Sequence, residues 1–96
     1  MDPDPLQFEW DPKKAASNEK NHGVSFEEAM EVFRDPLARV HADPSSSVGE
    51  VREIIVGTSL ARRLLLVSFT ERRDRIRIIS ARPATSHERR DYEESK

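Results

Sequence analysis

Cysteine is absent from the 96 residues, so the chain has no disulfide framework, no thiol nucleophile and no thiolate metal site. Long apolar runs are missing as well. Nothing approaches the roughly 18–20 residues of a membrane-spanning helix, and residues 1–5, Met-Asp-Pro-Asp-Pro, lack the basic and apolar regions of a signal peptide. These absences predict a cytoplasmic chain with no membrane association, a flexible N-terminus over residues 1–5 and a single domain over 6–96. Hydrophobic residues are scarce, at 35%, and match the charged share of 35%. A domain this small buries only about 60–65% of its unfolded surface, so one sheet and a few helices around a thin core are expected.

What is present is unevenly placed. Residues 1–50 carry 11 Asp/Glu against 5 Lys/Arg, whereas residues 51–96 carry 7 acids against 11 bases. Between Arg62 and Arg90 there are nine arginines and three acids. All of the positive charge there is arginine, whose planar fork suits bidentate phosphate contact and stacking on bases. The alternative is a solvated face of intramolecular ion pairs. The overall acidity, a net charge of −2, argues against a generic sliding DNA-binder and allows a localised anion-binding surface.

The pattern of side chains predicts an α+β order, β-α-α-β-β-β-β-α. Leu-Gln-Phe-Glu-Trp at 6–10 alternates as a short strand does. Asp11-Pro12 is an N-cap followed by proline at the first helical position, and Gly23 is a left-handed stop. Ser25-Phe26-Glu27-Glu28 is a capping box. It is followed by the apolar stripe Phe26, Ala29, Met30 and Phe33, with Pro36 as the terminator. Leu37–Ala42 reads as a strand and Asp43–Gly49, with Pro44 and three serines, as a mobile loop. Val51–Gly57, Arg63–Glu71 and Arg75–Arg82 are strand-like runs with short connections, which implies an antiparallel meander. Thr85-Ser86-His87-Glu88 is a second capping box, opening a short C-terminal helix that includes Tyr92. Trp10 and the Phe26 stripe are assigned to the core, with the helices against the sheet.

Phe8-Glu9-Trp10-Asp11, Asn18, His22-Gly23-Val24-Ser25-Phe26-Glu27-Glu28-Ala29 and Asp35-Pro36-Leu37 resemble the first half of the BrnT toxin family. So do, in order, Gly49-Glu50 with Arg52, Gly57 with Ser59, Thr70-Glu71-Arg72, Arg75-Ile76-Arg77-Ile78-Ile79-Ser80-Ala81-Arg82, Ala84-Thr85, Glu88-Arg89-Arg90 and Tyr92-Glu93. The resemblance covers nearly everything after residue 5. It implies a compact fold similar to the RelE ribonucleases, the toxin role in a type II toxin–antitoxin system, and metal-independent endoribonuclease activity that inhibits translation and growth. It also implies a hetero-oligomer with a BrnA-like antitoxin that carries a DNA-binding domain. Three positions depart from the family's pattern. Asn21 replaces a basic residue before the His-Gly pair, Val51 replaces a second acid, and Arg73-Asp74 replaces a Gly-Asp turn.

Cleavage of RNA by its own 2′-hydroxyl needs a base, an acid for the leaving 5′-oxygen, and cations for the charge that builds on phosphorus. Candidate catalytic residues are His22, Glu50, Arg52, Arg77, Arg82 and Tyr92, and candidate RNA-binding residues are Arg63, Arg75 and Arg89. Unbroken alternation in Arg75–Arg82 puts Arg75, Arg77, Ile79 and Ala81 on one face and Ile76, Ile78, Ser80 and Arg82 on the other. Arg77 is then either a phosphate ligand or the partner of Glu53 or Glu71. Arg75 reads as a rim charge, and Arg82 has to reach around the strand end. Arg52 is a paired structural charge or a catalytic one, and Glu50 a general base or a surface acid. His22 is a candidate proton carrier but sits where a histidine also bonds the last carbonyls of a helix. Tyr92 is a proton donor, a stacking ring or an anchor for the last helix. His41 and His87 fall on a strand surface and a first helical turn. A histidine metal site would need ligands from three distant elements, so no metal and no cofactor are expected. A binding module that contacts antitoxin or nucleic acid without cleaving is the alternative reading. A DNA-binding regulator is weaker, because no helix offers a turn motif with a basic recognition face.

Overall fold

The computed structural model describes residues 6–44 and 50–94. The flexible N-terminus expected over 1–5, and residues 45–49 of the expected serine-rich loop, lie outside the described residues. The element order is β1 (Gln7–Glu9), α1 (Pro12–His22), α2 (Phe26–Val32), β2 (Arg39–Ala42), β3 (Glu53–Thr58), β4 (Leu64–Arg72), β5 (Arg75–Pro83) and α3 (Ser86–Glu94). This is the α+β order that the patterning predicts.

Both helix starts form as their sequences dictate. The Asp11 carboxylate accepts the Lys13 N–H at 2.8 Å, and Ser25 Oγ accepts the Glu28 N–H at 3.0 Å. Gly23 closes α1 in the left-handed region, at φ 70°, where a side chain would be strained. α2 ends at Val32, earlier than Pro36 alone requires, because its last turn tightens: the Phe33 N–H donates to Met30 O and the Arg34 N–H to Glu31 O.

The sheet runs β1-β5-β4-β3-β2. Strands β2 to β5 form the expected antiparallel meander. β1 joins the far edge in parallel, with Phe8 opposite Ile76 and Glu9 opposite Arg77, so the whole sheet is mixed. β3 starts at Glu53 rather than Val51, although the Asp43 N–H still donates to Arg52 O at 3.0 Å.

The two faces bury different things. On one, α1 and α2 cover Ile55, Leu65, Val67, Phe69, Ile76, Ile78 and Ala81, and Phe26 and Val32 are fully buried among them. Trp10 packs edge-on to Phe26, and Phe33 packs edge-on to Phe8 and Phe69. On the other, α3 lays Tyr92 over Val56 and Leu64 at one end of the sheet only. Gly57 is required by close approach: a Cβ there would stand 3.0 Å from Ala38 Cβ and Val32 Cγ1. Asn18 is buried and ties α1 to β5 and to the connection before α2. Its amide donates to Val24 O and Ala81 O, and its oxygen accepts the Ala81 N–H.

Candidate functional site

The site begins with one irregularity in β5. Ser80 pairs with Ser68 and Ile78 pairs with Phe69, which leaves Ile79 as an extra, unpaired residue. A bulge of this kind resets the alternation of side chains. Ahead of it, Ile76 and Ile78 face the helices and Arg75 and Arg77 face away. Beyond it, Ala81 faces the helices, and Ser80 and Arg82 face away. Unbroken alternation had separated Arg77 from Arg82; the bulge puts both on the face that α1 and α2 leave open, and Arg82 gets there without reaching around the strand.

Neighbouring strands add to this face. Arg77 lies opposite Thr70, and Arg82 opposite Leu66. Arg52, in phase with Ile54, leads into β3 on the same side. Glu50 links two cations: it accepts Arg52 Nε at 3.2 Å and Arg72 Nη2 at 3.4 Å. Those hydrogen bonds, Arg52's foremost, hold the Glu50 carboxyl below its ordinary range. Arg77 meets Glu9 at 3.5 Å, rather than Glu53 or Glu71, because β1 arrives in parallel and sets Glu9 directly opposite. Arg82 forms a bidentate pair with Glu88, at 2.9 and 2.8 Å. Glu88 also closes the second capping box, accepting the Thr85 N–H at 2.8 Å while Thr85 Oγ1 accepts the Glu88 N–H. Arg82 is the main cause that lowers Glu88 to a pKa of about 2. Arg52, Arg72, Arg75, Arg77 and Arg82 thus share a face with Glu9, Glu50 and Glu88, an excess of positive charge. Its floor is hydroxylic: Ser68 and Thr70 are buried beneath the arginines, and Thr70 Oγ1 donates to Val51 O at 2.7 Å.

Beside this face lies a groove of about 550 Å³ between α3 and the β2 side of the sheet. Ile54, Val56 and Leu66 line it below, Arg39 and His41 on the strand side, and Glu88, Asp91 and Tyr92 on the helix side. The Tyr92 hydroxyl donates to Asp35 Oδ2 at 2.6 Å and lies 3.4 Å from Thr58 Oγ1. Burial foremost, and then the Asp35 carboxylate, raise the Tyr92 pKa. Asp35 also accepts the N–H groups of Leu37 and Thr58. Burial pushes its carboxyl up, but these bonds together outweigh that and leave it lowered.

The other sequence candidates, Arg75 apart, stand elsewhere. Arg63 staples the β3–β4 turn to the helix side of the sheet, binding Glu28 through Nε and Nη2 and Gly23 O through Nη2. His22 is exposed at the end of α1, in a shallow depression with Asn21 and Ile79 on the helix side. Arg75 is exposed at the β4–β5 turn, and Arg89 lies along α3, 4.0 Å from Glu93. Sequence reasoning named Glu9, Glu88 and His41 without placing them at the site, and did not single out Asp91. Only Glu88 left a local signal, since the box that caps α3 follows Arg82 closely.

A family model for the ribonuclease toxin BrnT of type II toxin–antitoxin systems matches residues 10–88. The chain belongs to the BrnT family. The crystal structure of the Brucella abortus ribonuclease toxin BrnT aligns with a TM-score of 0.64 at 21% identity, covering 85% of this chain and 100% of that one. That likeness supports a BrnT fold. No curated protein matches the sequence. The stretch matched to BrnT runs from Trp10 to Glu88, so it holds Arg52, Arg77, Arg82 and the Glu88 that grips Arg82, and stops short of Arg89 and Tyr92.

Proposed function

We propose that this BrnT-family chain is a metal-independent endoribonuclease that acts in the cytoplasm, inhibits translation and growth, and is neutralised in a hetero-oligomer with a BrnA-like antitoxin carrying a DNA-binding domain. The observation that carries the reading is the bulge at Ile79, which gathers Arg77 and Arg82 on the face that also bears Arg52 and Glu50. Preorganised guanidinium groups stabilise charge that develops on a phosphate in the transition state. Glu50, kept ionised by Arg52 and Arg72, is the base for the 2′-hydroxyl, and water on the open face gives the leaving 5′-oxygen its proton. An incoming phosphate competes with Glu9 for Arg77 and with Glu88 for Arg82. Tyr92, whose hydroxyl is engaged by Asp35, is assigned to anchoring α3, and His22 lies across the sheet from the arginines.

The test is induced expression with and without the adjacent antitoxin gene, paired with cleavage of RNA by the purified chain in EDTA. Arg77→Ala and Arg82→Ala should each lower cleavage by about 10²-fold, the loss typical of removing one charge-stabilising donor, while His22→Ala retains it. Full toxicity in both arginine variants would refute the site. The second reading, a BrnT-like binding module without cleavage, draws on the acid partners of Arg52, Arg77 and Arg82 in the resting chain. Antitoxin binding with no RNA product would establish it instead.

A further inference from the structure

We propose that the groove between α3 and β2 holds a guanine base of the bound RNA strand, with Asp91 reading the base's N1–H and 2-amino edge. This deepens the cleavage reading above and rests on it for the identity of the bound strand.

Three observations converge. The groove is continuous with the arginine face through a single residue, since Glu88 both grips Arg82 and lines the groove. A phosphate on Arg82 therefore sits beside the groove, which its nucleoside can enter. The floor of Ile54, Val56 and Leu66 is apolar and presents a flat strand surface to a ring, with Arg39 beside it as a guanidinium plane able to stack. The walls differ in charge, with Arg39 and His41 facing Glu88, Asp91 and Glu94. That acidic wall repels phosphate and favours a donor-rich base edge. Guanine offers two adjacent donors, N1–H and the 2-amino group, which match the two oxygens of one carboxylate. Uracil has no amino group to give. Glu88 keeps the Thr85 N–H even when a phosphate takes Arg82, whereas the Asp91 side chain is 67% exposed and meets His87 of its own helix at 3.6 Å.

The test uses short single-stranded RNAs that carry one guanine in an otherwise adenine- and uracil-containing frame, and the same RNAs with inosine, which lacks the 2-amino group. Cleavage is followed on the ribose forms, and binding by fluorescence anisotropy on 2′-O-methyl forms that cannot be cut. The guanine RNA should be favoured by about tenfold, the discrimination expected of one good bidentate base contact, and Asp91→Asn should reduce that ratio towards one. Asp91 is on the surface, so the variant folds, as an unchanged melting temperature will verify. Arg39→Ala should weaken binding of both RNAs without changing the ratio. Cleavage with equal use of guanine and inosine, or a preference that survives both Asp91→Asn and Glu94→Gln, overturns the guanine site and leaves the ribonuclease reading intact. Guanine-selective binding without cleavage does the reverse. Binding of neither RNA, with antitoxin affinity lost in Asp91→Arg, would overturn the inference in favour of a protein in the groove.

Discussion

At the scale of single residues, two side chains stand out, one for its backbone and one for its bonds. Arg73 opens the two-residue turn between Arg72 and Arg75 at φ 58°, a conformation that costs a non-glycine residue roughly 1–2 kcal/mol. Glycine, the residue that the family resemblance leads one to expect here, takes this φ without a side-chain penalty. Arg73→Gly is expected to raise stability by about 1 kcal/mol, seen as a melting temperature about 4–8 °C higher for a domain of this size. Asn18 is the opposite case, a polar residue that the fold cannot spare. Asn18→Ala would strand the carbonyls of Val24 and Ala81 and the Ala81 N–H. A buried group left unsatisfied costs about 1–3 kcal/mol, so a loss of roughly 2–4 kcal/mol in chemical denaturation is expected. Asn18 was visible in the sequence only as part of a familiar series; its bonds to Ala81 span a contact that no local pattern encodes.

Among the elements, legibility followed locality. The Ser25 cap, the α3 capping box, the Gly23 stop and the apolar stripe of α2 were readable because each depends on residues within a turn or two. The Glu28 carboxylate, expected to close the first box, goes instead to Ser59 and Arg63. The parallel arrival of β1 and the bulge in β5 depend on neighbours far away in sequence, and with them went the partner of Arg77 and the side on which Arg82 stands. The α3 capping box carries its own test. Glu88 has a folded-state pKa of about 2 against an ordinary 4.5, with the Arg82 hydrogen bonds as the foremost cause. A depressed carboxylate stabilises the fold fully above its unfolded pKa and loses that contribution as pH falls through the folded one. Stability should therefore decline between pH about 4.5 and about 2. In Glu88→Gln that part of the decline should be shallower, measured by urea melts across the range. An unchanged slope would mean that the Arg82–Glu88 pair adds nothing to stability in solution.

The whole molecule divides its labour between the two sides of one sheet. One side is given to α1 and α2 and to nearly all of the aromatic packing. Among the described residues the other is covered only at the α3 end, so arginines and hydroxyls can line the remainder. That division explains why the charge asymmetry along the chain was informative: the second half contributes β3, β4 and β5, the strands whose outward positions make the face. It also sets Arg63 apart. The excess of arginine is a property of a sequence segment, and one member of the segment points to the packed side, where Glu28 takes it.

The bulge has a consequence for insertions and deletions. Removing one codon from the middle of a strand ordinarily inverts every side chain beyond it. At Ile79 the count is already one residue too long, so an in-frame deletion there restores simple alternation and keeps Ala81 facing in and Arg82 facing out. The shortened protein should still fold and should still lose RNA cleavage on Arg82→Ala, whereas deleting Leu66 from β4 should abolish folding, as circular dichroism would report. Chains of this kind can therefore differ in length by one residue at this point in the gene while presenting the same arginine face.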